Sequence, residues 1–209
     1  MTFDLTIDML EAVPRSMGAA VRAVYENPSR ERYVRFLNLM YHYTRFAGEE
    51  LLYTASVTSN DELRELFEHL AREEHGHHRL AEADLRGLGE SVDQTVPDSV
   101  LAYRSYWASL GENDEWKFLG VLYALENVAL FAGEDAWRAL GSLSLTPEQS
   151  RFVRVHIQAD EAHGRDLARC CERFLGAHGD DILAGARRGA ELWVAMHLSI
   201  LGTSCLGTS

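Results

Sequence analysis

The stretch His156-Ile157-Gln158-Ala159-Asp160-Glu161-Ala162-His163 governs how the rest of the chain is read. It lies inside a segment whose pattern predicts helix from Pro147 to about His178. A helix turns by ~100° per residue, so side chains four and seven positions apart share a face. His156, Asp160 and His163 therefore project the same way from successive turns. Two imidazoles and a carboxylate on one face form a ligand set suited to iron. Val153, Ile157 and Leu167 flank them. This face is thus expected to turn inward, where an ionisable group needs a partner or a metal.

Outward from that segment, nearly everything reads as helix. The expected helices span about 3–26, 31–58, 61–87, 97–110, 114–140, 147–177 and 180–201. Asn27-Pro28-Ser29 breaks the first from the second, and Ser59-Asn60-Asp61 supplies cap residues for the third. Leu88-Gly89 closes the third, Val96-Pro97-Asp98-Ser99 opens the fourth with proline near its first turn, and Gly111 to Asp114 separates it from the fifth. Thr146-Pro147 reads as a cap followed by a helix-starting proline, and Gly176 to Asp180 as the break before the last helix. No run alternates like a strand. Seven helices without strands predict an all-α bundle, an architecture that builds metal sites from side chains on facing helices.

The 209 residues fit a single domain over 1–209, with 202–209 as a frayed tail; Leu-Gly-Thr-Ser occurs at 201–204 and again at 206–209. A formal net charge of −12 argues against nucleic-acid binding, which needs a basic surface. Cys170, Cys171 and Cys205 form no paired framework and predict structural thiols in a reducing compartment. Asp4, Asp8 and Glu11 stand where an export signal would need positive charge and an apolar run. No stretch approaches the ~20 apolar residues of a membrane span. The expectation is a cytoplasmic protein with no membrane partner.

Two further helices carry candidate partners for the His156 face. The third contains Arg72-Glu73-Glu74-His75-Gly76-His77-His78. Glu74 and His77 have the i, i+3 spacing that lets a carboxylate and an imidazole meet at one ion. Glu73 with His77, Glu74 with His78, and Glu68 with His75 offer other helical pairings. Gly76, poor inside a helix, is expected to admit a neighbouring backbone or a bulky group. In the fifth helix Glu126 is the only ionisable group besides Tyr123 between Lys117 and Gly133. An ionised carboxylate there is expensive without a partner. Glu74, His77, Glu126, His156, Asp160 and His163 together over-supply one metal. They suit two metals sharing Glu126, as Fe(II) or Mn(II), with Zn(II) compatible on ligand chemistry alone.

The segments at 73–89, 119–126 and 156–167 resemble the haem-oxygenase-like iron-containing redox enzymes, also called haem-oxygenase-like diiron oxidases. This family shares a seven-helix fold with thiaminase-type proteins and pyrroloquinoline quinone synthase. The resemblance runs from about residue 30 to 178, and His-x3-Asp-x2-His is its most specific motif. It implies metal roles for His156, Asp160 and His163 and a bridging role for Glu126. It also implies metal roles for Glu74 and His77, with Glu73, His75 and His78 in reserve. Asn127 departs from the small residue expected after the glutamate, and either reshapes the pocket or bonds a ligand.

The resemblance implies two Fe(II) ions, dioxygen as co-substrate, an external reductant, and oxidation of a small amine, amino-acid or carboxylic-acid substrate. N-oxygenation and oxidative C–C cleavage in natural-product biosynthesis are the implied reaction types. Tyr41, Tyr43 and Tyr123 are candidates for the pocket wall. The alternatives on the same fold are haem binding and degradation through His42 or His197, and a metal-free thiaminase-like enzyme using Cys170 or Cys171. Trp107, Trp137 and Trp193 look exposed on long helices and suggest a homodimer.

Overall fold

A computed structural model describes residues 6–111 and 114–202; the side chains of Asp160 and Glu161 lie outside that description. So do most of the expected Leu-Gly-Thr-Ser tail, Cys205 and Asp4. Helix dominates, and no strand occurs among the described residues. The helices are α1 (Ile7–Tyr25), α2 (Arg30–Thr44), α3 (Ala47–Val57), α4 (Asp61–Glu74), α5 (His78–Gly87), α6 (Asp98–Ser109), α7 (Glu115–Asn127), α8 (Ala129–Ser142) and α9 (Arg151–Leu198).

The expected helical segments are present, but three are interrupted and the last two are joined. The 31–58 segment breaks at Arg45-Phe46. There Thr44 donates its hydroxyl to the Met40 carbonyl, a back-bond that bends helices. The 61–87 segment breaks at His75–His77 because Gly76 takes φ +91°, a left-handed conformation that favours glycine. Gly76 is therefore a hinge between α4 and α5, not an accommodation for a bulky neighbour inside one helix. The 114–140 segment is interrupted at Val128, just after the Asn127 side chain has donated to the Tyr123 carbonyl. Conversely, Gly176–Asp180 is no loop. Helix continues through it with His178 alone non-helical, its ring stacked 3.7 Å from that of Trp116.

Several ends follow their sequence signals. Ser29 and Asn60 accept from Arg32 N and Leu63 N, as caps should. Thr146 and Gln149 form a capping box around a short 3₁₀ turn, so α9 starts a few residues later than expected. Its first donors are met from another helix. Buried Asp84 of α5 accepts Arg151 N and Phe152 N at 3.1 and 2.9 Å.

The central pairing is α7 along α9, covered by α1; α1 also packs on α8, α2 on α5, and α3 on α4. The α7–α9 seam is close because glycines line it. A Cβ on Gly120 would lie 1.9 Å from the Ile182 carbonyl oxygen, and one on Gly185 2.1 Å from that of Lys117. Leu37, Phe67, Leu85, Phe118, Leu167 and Met196 are fully buried members of one core. Trp107 and Trp193 belong to it too, and Trp137 is half-buried beneath the Arg154 guanidinium. Trp107 and Trp193 are thus covered by their own chain, and Trp137 only in part. No described helix is long and apolar enough to cross a membrane.

Candidate metal centre

Four helical segments deliver the candidate ligands to one place. Glu74 is the last residue of α4, and His77 precedes α5 across the Gly76 turn. Glu126 lies near the end of α7, and His156 and His163 lie two turns apart on α9. Ligand atoms of Glu74, His77 and His156 fall within 4.8 Å of one another, and so do those of Glu74, Glu126 and His163. Glu74 is common to both groups, whereas the sequence pointed to Glu126 as the shared ligand. Asp160 lies outside the described side chains.

The turn at Gly76 matters to this geometry. Glu74 and His77 meet, but not through helical i, i+3 stacking. The chain reverses its local hand between them, and His77 Nδ1 donates to Glu74 Oε2 at 2.9 Å. His75 points to solvent. His78 packs edge-on against Tyr41, away from the cluster. Glu73, held in reserve by the sequence, touches His163 Nε2 through its Oε2. Its only sequence signal was its neighbourhood of acids and histidines on one helix.

Protons are held tightly here. His163 Nδ1 donates to Glu126 Oε2 at 3.0 Å. That bond, together with Glu73 on the other ring nitrogen, lifts the imidazole to about 9 despite burial. Burial pushes the Glu126 carboxyl up, against the pull of His163. Burial acts the same way on Glu74, but the His77 hydrogen bond and the surrounding imidazoles outweigh it and hold Glu74 below its ordinary range. A buried set of carboxylates compensated by an imidazolium is one that a divalent cation would also satisfy.

His156 tests that fit. Its Nδ1 is 2.8 Å from the Phe152 carbonyl oxygen, which can only accept, so Nδ1 carries the proton. Burial holds the ring below its ordinary proton affinity, so it is neutral. Its Nε2 is then a bare lone pair, buried and without a hydrogen-bond partner. Buried acceptors are normally satisfied. A neutral imidazole with Nδ1–H fixed on a main-chain carbonyl and Nε2 free, beside a carboxylate, is the usual state of a metal-binding histidine.

Asn127 is not among the residues that line the cavity beside the cluster. It is buried, and its Nδ2 donates to the Tyr123 carbonyl at 2.8 Å and to the Gly164 carbonyl at 3.4 Å. A Cβ on Gly164 would lie 2.7 Å from Asn127 Oδ1. The pair therefore locks the residue after Glu126 to the residue after His163.

Beside the cluster lies a cavity of ≈ 220 Å³, reached by Glu74, Glu126 and His156. Tyr43 is part of its wall; Tyr41 and Tyr123 are not. His197, a sequence candidate for haem, also lines it, with Nδ1 donating to the Trp193 carbonyl and its ring stacked on Trp193. His42, the other haem candidate, lies 2.7 Å through Nε2 from the Asp93 carbonyl. Cys170 and Cys171 are buried free thiols. Burial lifts Cys170 to about 11 and Cys171 higher still, which disfavours the thiolate that nucleophilic catalysis requires.

Residues 34–194 match the family described as iron-containing redox enzyme. The chain belongs to that family. No curated protein matches it. Among solved structures, the chain is similar to a domain of unknown function with a haem oxygenase-like fold from Shewanella denitrificans OS217. The TM-score is 0.77 at 17% identity, over 93% of this chain and 88% of that one. It is also similar to a TenA homologue from P. horikoshii OT3, with TM-score 0.68 at 12% identity, over 94% of this chain and 98% of that one. At such identities the likeness establishes the haem-oxygenase-like fold and nothing about chemistry.

Proposed function

We propose that this member of the iron-containing redox enzyme family is a non-haem diiron oxygenase or oxidase acting on a small organic molecule with dioxygen as co-substrate. The observation that carries the reading is the bare, buried Nε2 of His156 beside Glu74 and His77. Glu74, His77 and His156 would hold one Fe(II). Glu126 and His163 would hold the second, with Glu74 between the two; Asp160 joins them on the evidence of the sequence alone. Iron bound there supplies the redox chemistry that lets dioxygen oxidise the substrate, and an external reductant provides the electrons the substrate does not.

The chain's own residues do the rest. The cavity beside Glu74, Glu126 and His156 gives the reacting end of a substrate access to these residues. His163 Nδ1 donates its proton to Glu126 Oε2 at 3.0 Å, and a cation bound by these two residues would release it. Substrates in the scope of the reading are small amines, amino acids and carboxylic acids, oxidised at nitrogen or cleaved at a C–C bond in a biosynthetic pathway. The free thiols Cys170 and Cys171 suit a reducing compartment such as the cytoplasm.

Anaerobic reconstitution followed by iron analysis tests the centre directly. Uptake of two Fe(II) per chain is expected, together with dioxygen consumption that a substrate accelerates. Folded protein that saturates at one iron would overturn the dinuclear reading, and folded protein that takes up none would overturn the whole of it.

A further inference from the structure

The cavity that reaches the metal cluster has one wall of an unusual kind. Along α8 it is lined by Ala129, Ala132, Gly133, Ala136 and Ala139, with the larger Leu140 at the end of the row. These positions recur at helical spacing, so they form one continuous face about 15 Å long. The face begins three residues after Glu126, and therefore runs away from the ligand cluster. Facing walls include Phe36 and Met40 of α2 and Phe152 and Trp193 of α9.

Gly133 shows that this face is kept bare. Glycine is a poor helix residue, and a buried helical glycine normally has a neighbour pressed against it. Six other buried glycines, Gly18, Gly48, Gly120, Gly164, Gly185 and Gly189, fit that rule, each with an atom 3.2 Å or less from where a Cβ would stand. Gly133 is also buried, yet nothing lies within 4 Å of its Cβ position, and its φ is not left-handed. Neither packing nor backbone conformation calls for glycine there. The space beside it belongs to the cavity.

The charge of the lining narrows the occupant. Arg32 is the cationic side chain among the lining residues, and its Nη1 is engaged with the Glu26 and Asn27 carbonyls. Glu50 is paired with Arg104 at 2.8 Å. Burial keeps His197 neutral. The Glu26 and Asn27 carbonyls leave the Arg32 charge in place, but away from Arg32 a charged group lying along the α8 face would lose its water without gaining a counter-ion.

We infer that the substrate carries an extended, uncharged apolar body that lies along the α8 face from Ala129 to Ala139, with its reacting end at Glu126 and His156, and that Gly133 and Ala136 set how bulky or long that body can be. The placement of the reacting end rests on the diiron reading; the apolar body does not. Within the proposed substrate classes this favours a long apolar amine or acid over a small polar amino acid.

Binding of a neutral homologous series tests this. Hexan-1-ol, decan-1-ol and tetradecan-1-ol are titrated calorimetrically, without dioxygen, into the iron-loaded protein, whose iron content is measured separately. Affinity is expected to rise about fourfold per added methylene while the chain lengthens within the cavity, then to level off. Gly133→Leu should weaken decan-1-ol at least tenfold, leave iron content unchanged, and unfold at no lower temperature, since the new side chain enters open space. Ala136→Leu should reproduce the loss. Equal affinity across the series, wild-type decan-1-ol binding in both variants, or a Gly133→Leu protein that does not fold would each overturn the inference. Chain-length-dependent binding by a protein that takes up no iron would leave it standing and overturn the diiron reading. Iron uptake without such binding would do the reverse.

Discussion

Glu126 of α7 and His163 of α9 meet at 3.0 Å, and the residue after each, Asn127 and Gly164, closes the seam behind them. The Asn127 amide ties its own helix at Tyr123 to the opposite main chain at Gly164. A cluster that must hold cations needs its donors fixed before the ion arrives. In this chain the fixing is done by a side-chain amide and a glycine, neither of which is itself a candidate ligand.

Asn127→Ala should therefore damage both stability and metal affinity. It leaves two buried carbonyls without their side-chain donor, a loss of about 1–3 kcal/mol. It also loosens Glu126 against His163, with iron affinity falling on the order of tenfold. Chemical unfolding and anaerobic iron titration measure the two effects. A variant that loses stability but binds iron as tightly as wild type would show that the seam does not position the ligands.

The ligand assignments separate by substitution. Glu74→Ala and His156→Ala should lower iron affinity by more than about tenfold. His75→Ala should do little, because His75 faces solvent, and Glu68→Ala should do little as well. Asp160→Ala should weaken one iron of the two while helix content holds, since alanine is the better helix former. Iron analysis and circular dichroism on the same samples decide. Full iron content in Asp160→Ala would remove Asp160 from the set.

Asp84 anchors the start of α9, the helix that carries His156 and His163. Its carboxylate accepts Arg151 N and Phe152 N. Asp84→Ala should cost about 1–2 kcal/mol, the usual loss of an N-terminal cap. Urea unfolding should show a lower midpoint with an unchanged slope. An unchanged midpoint would mean that water replaces the cap.

His197 supplies an acid limit. Burial lowers its pKa to about 4, against an ordinary value near 6.5. The folded state thus binds fewer protons than the unfolded one. The stability tied to neutral His197 is fully present above pH ~6.5 and is lost as pH falls toward ~4, by about 3 kcal/mol at most. His197→Gln should flatten that part of the stability–pH curve. Parallel curves for the two proteins between those pH values would contradict the assignment.

Much of this was legible in the chain. The helical content follows from periodicity and from caps such as Ser29 and Asn60, because those signals are local. Glu126 stood out for a similar reason: a lone carboxylate in an apolar helix declares its own need of a partner. The spacing of His156 and His163 placed both on one face, since helix geometry converts sequence distance into direction. Breaks within helices were less visible. Gly76 gives no local clue whether it will be tolerated in a helix or will turn the chain, and here it turns the chain between Glu74 and His77.

What remained hidden depends on the neighbours a residue meets. Glu74, not Glu126, stands in both groups of potential ligands because of how the Gly76 turn directs the end of α4 toward α9. Asn127 became a brace because Gly164 lets α9 come close enough to receive it. Gly120 and Gly133 are the same residue in adjacent helices, yet one is filled by the Ile182 carbonyl and the other faces a cavity. Periodicity says which face a residue occupies. Whether that face meets backbone, a metal cluster or open space is set by helices far away in sequence, through long-range packing that no local pattern encodes.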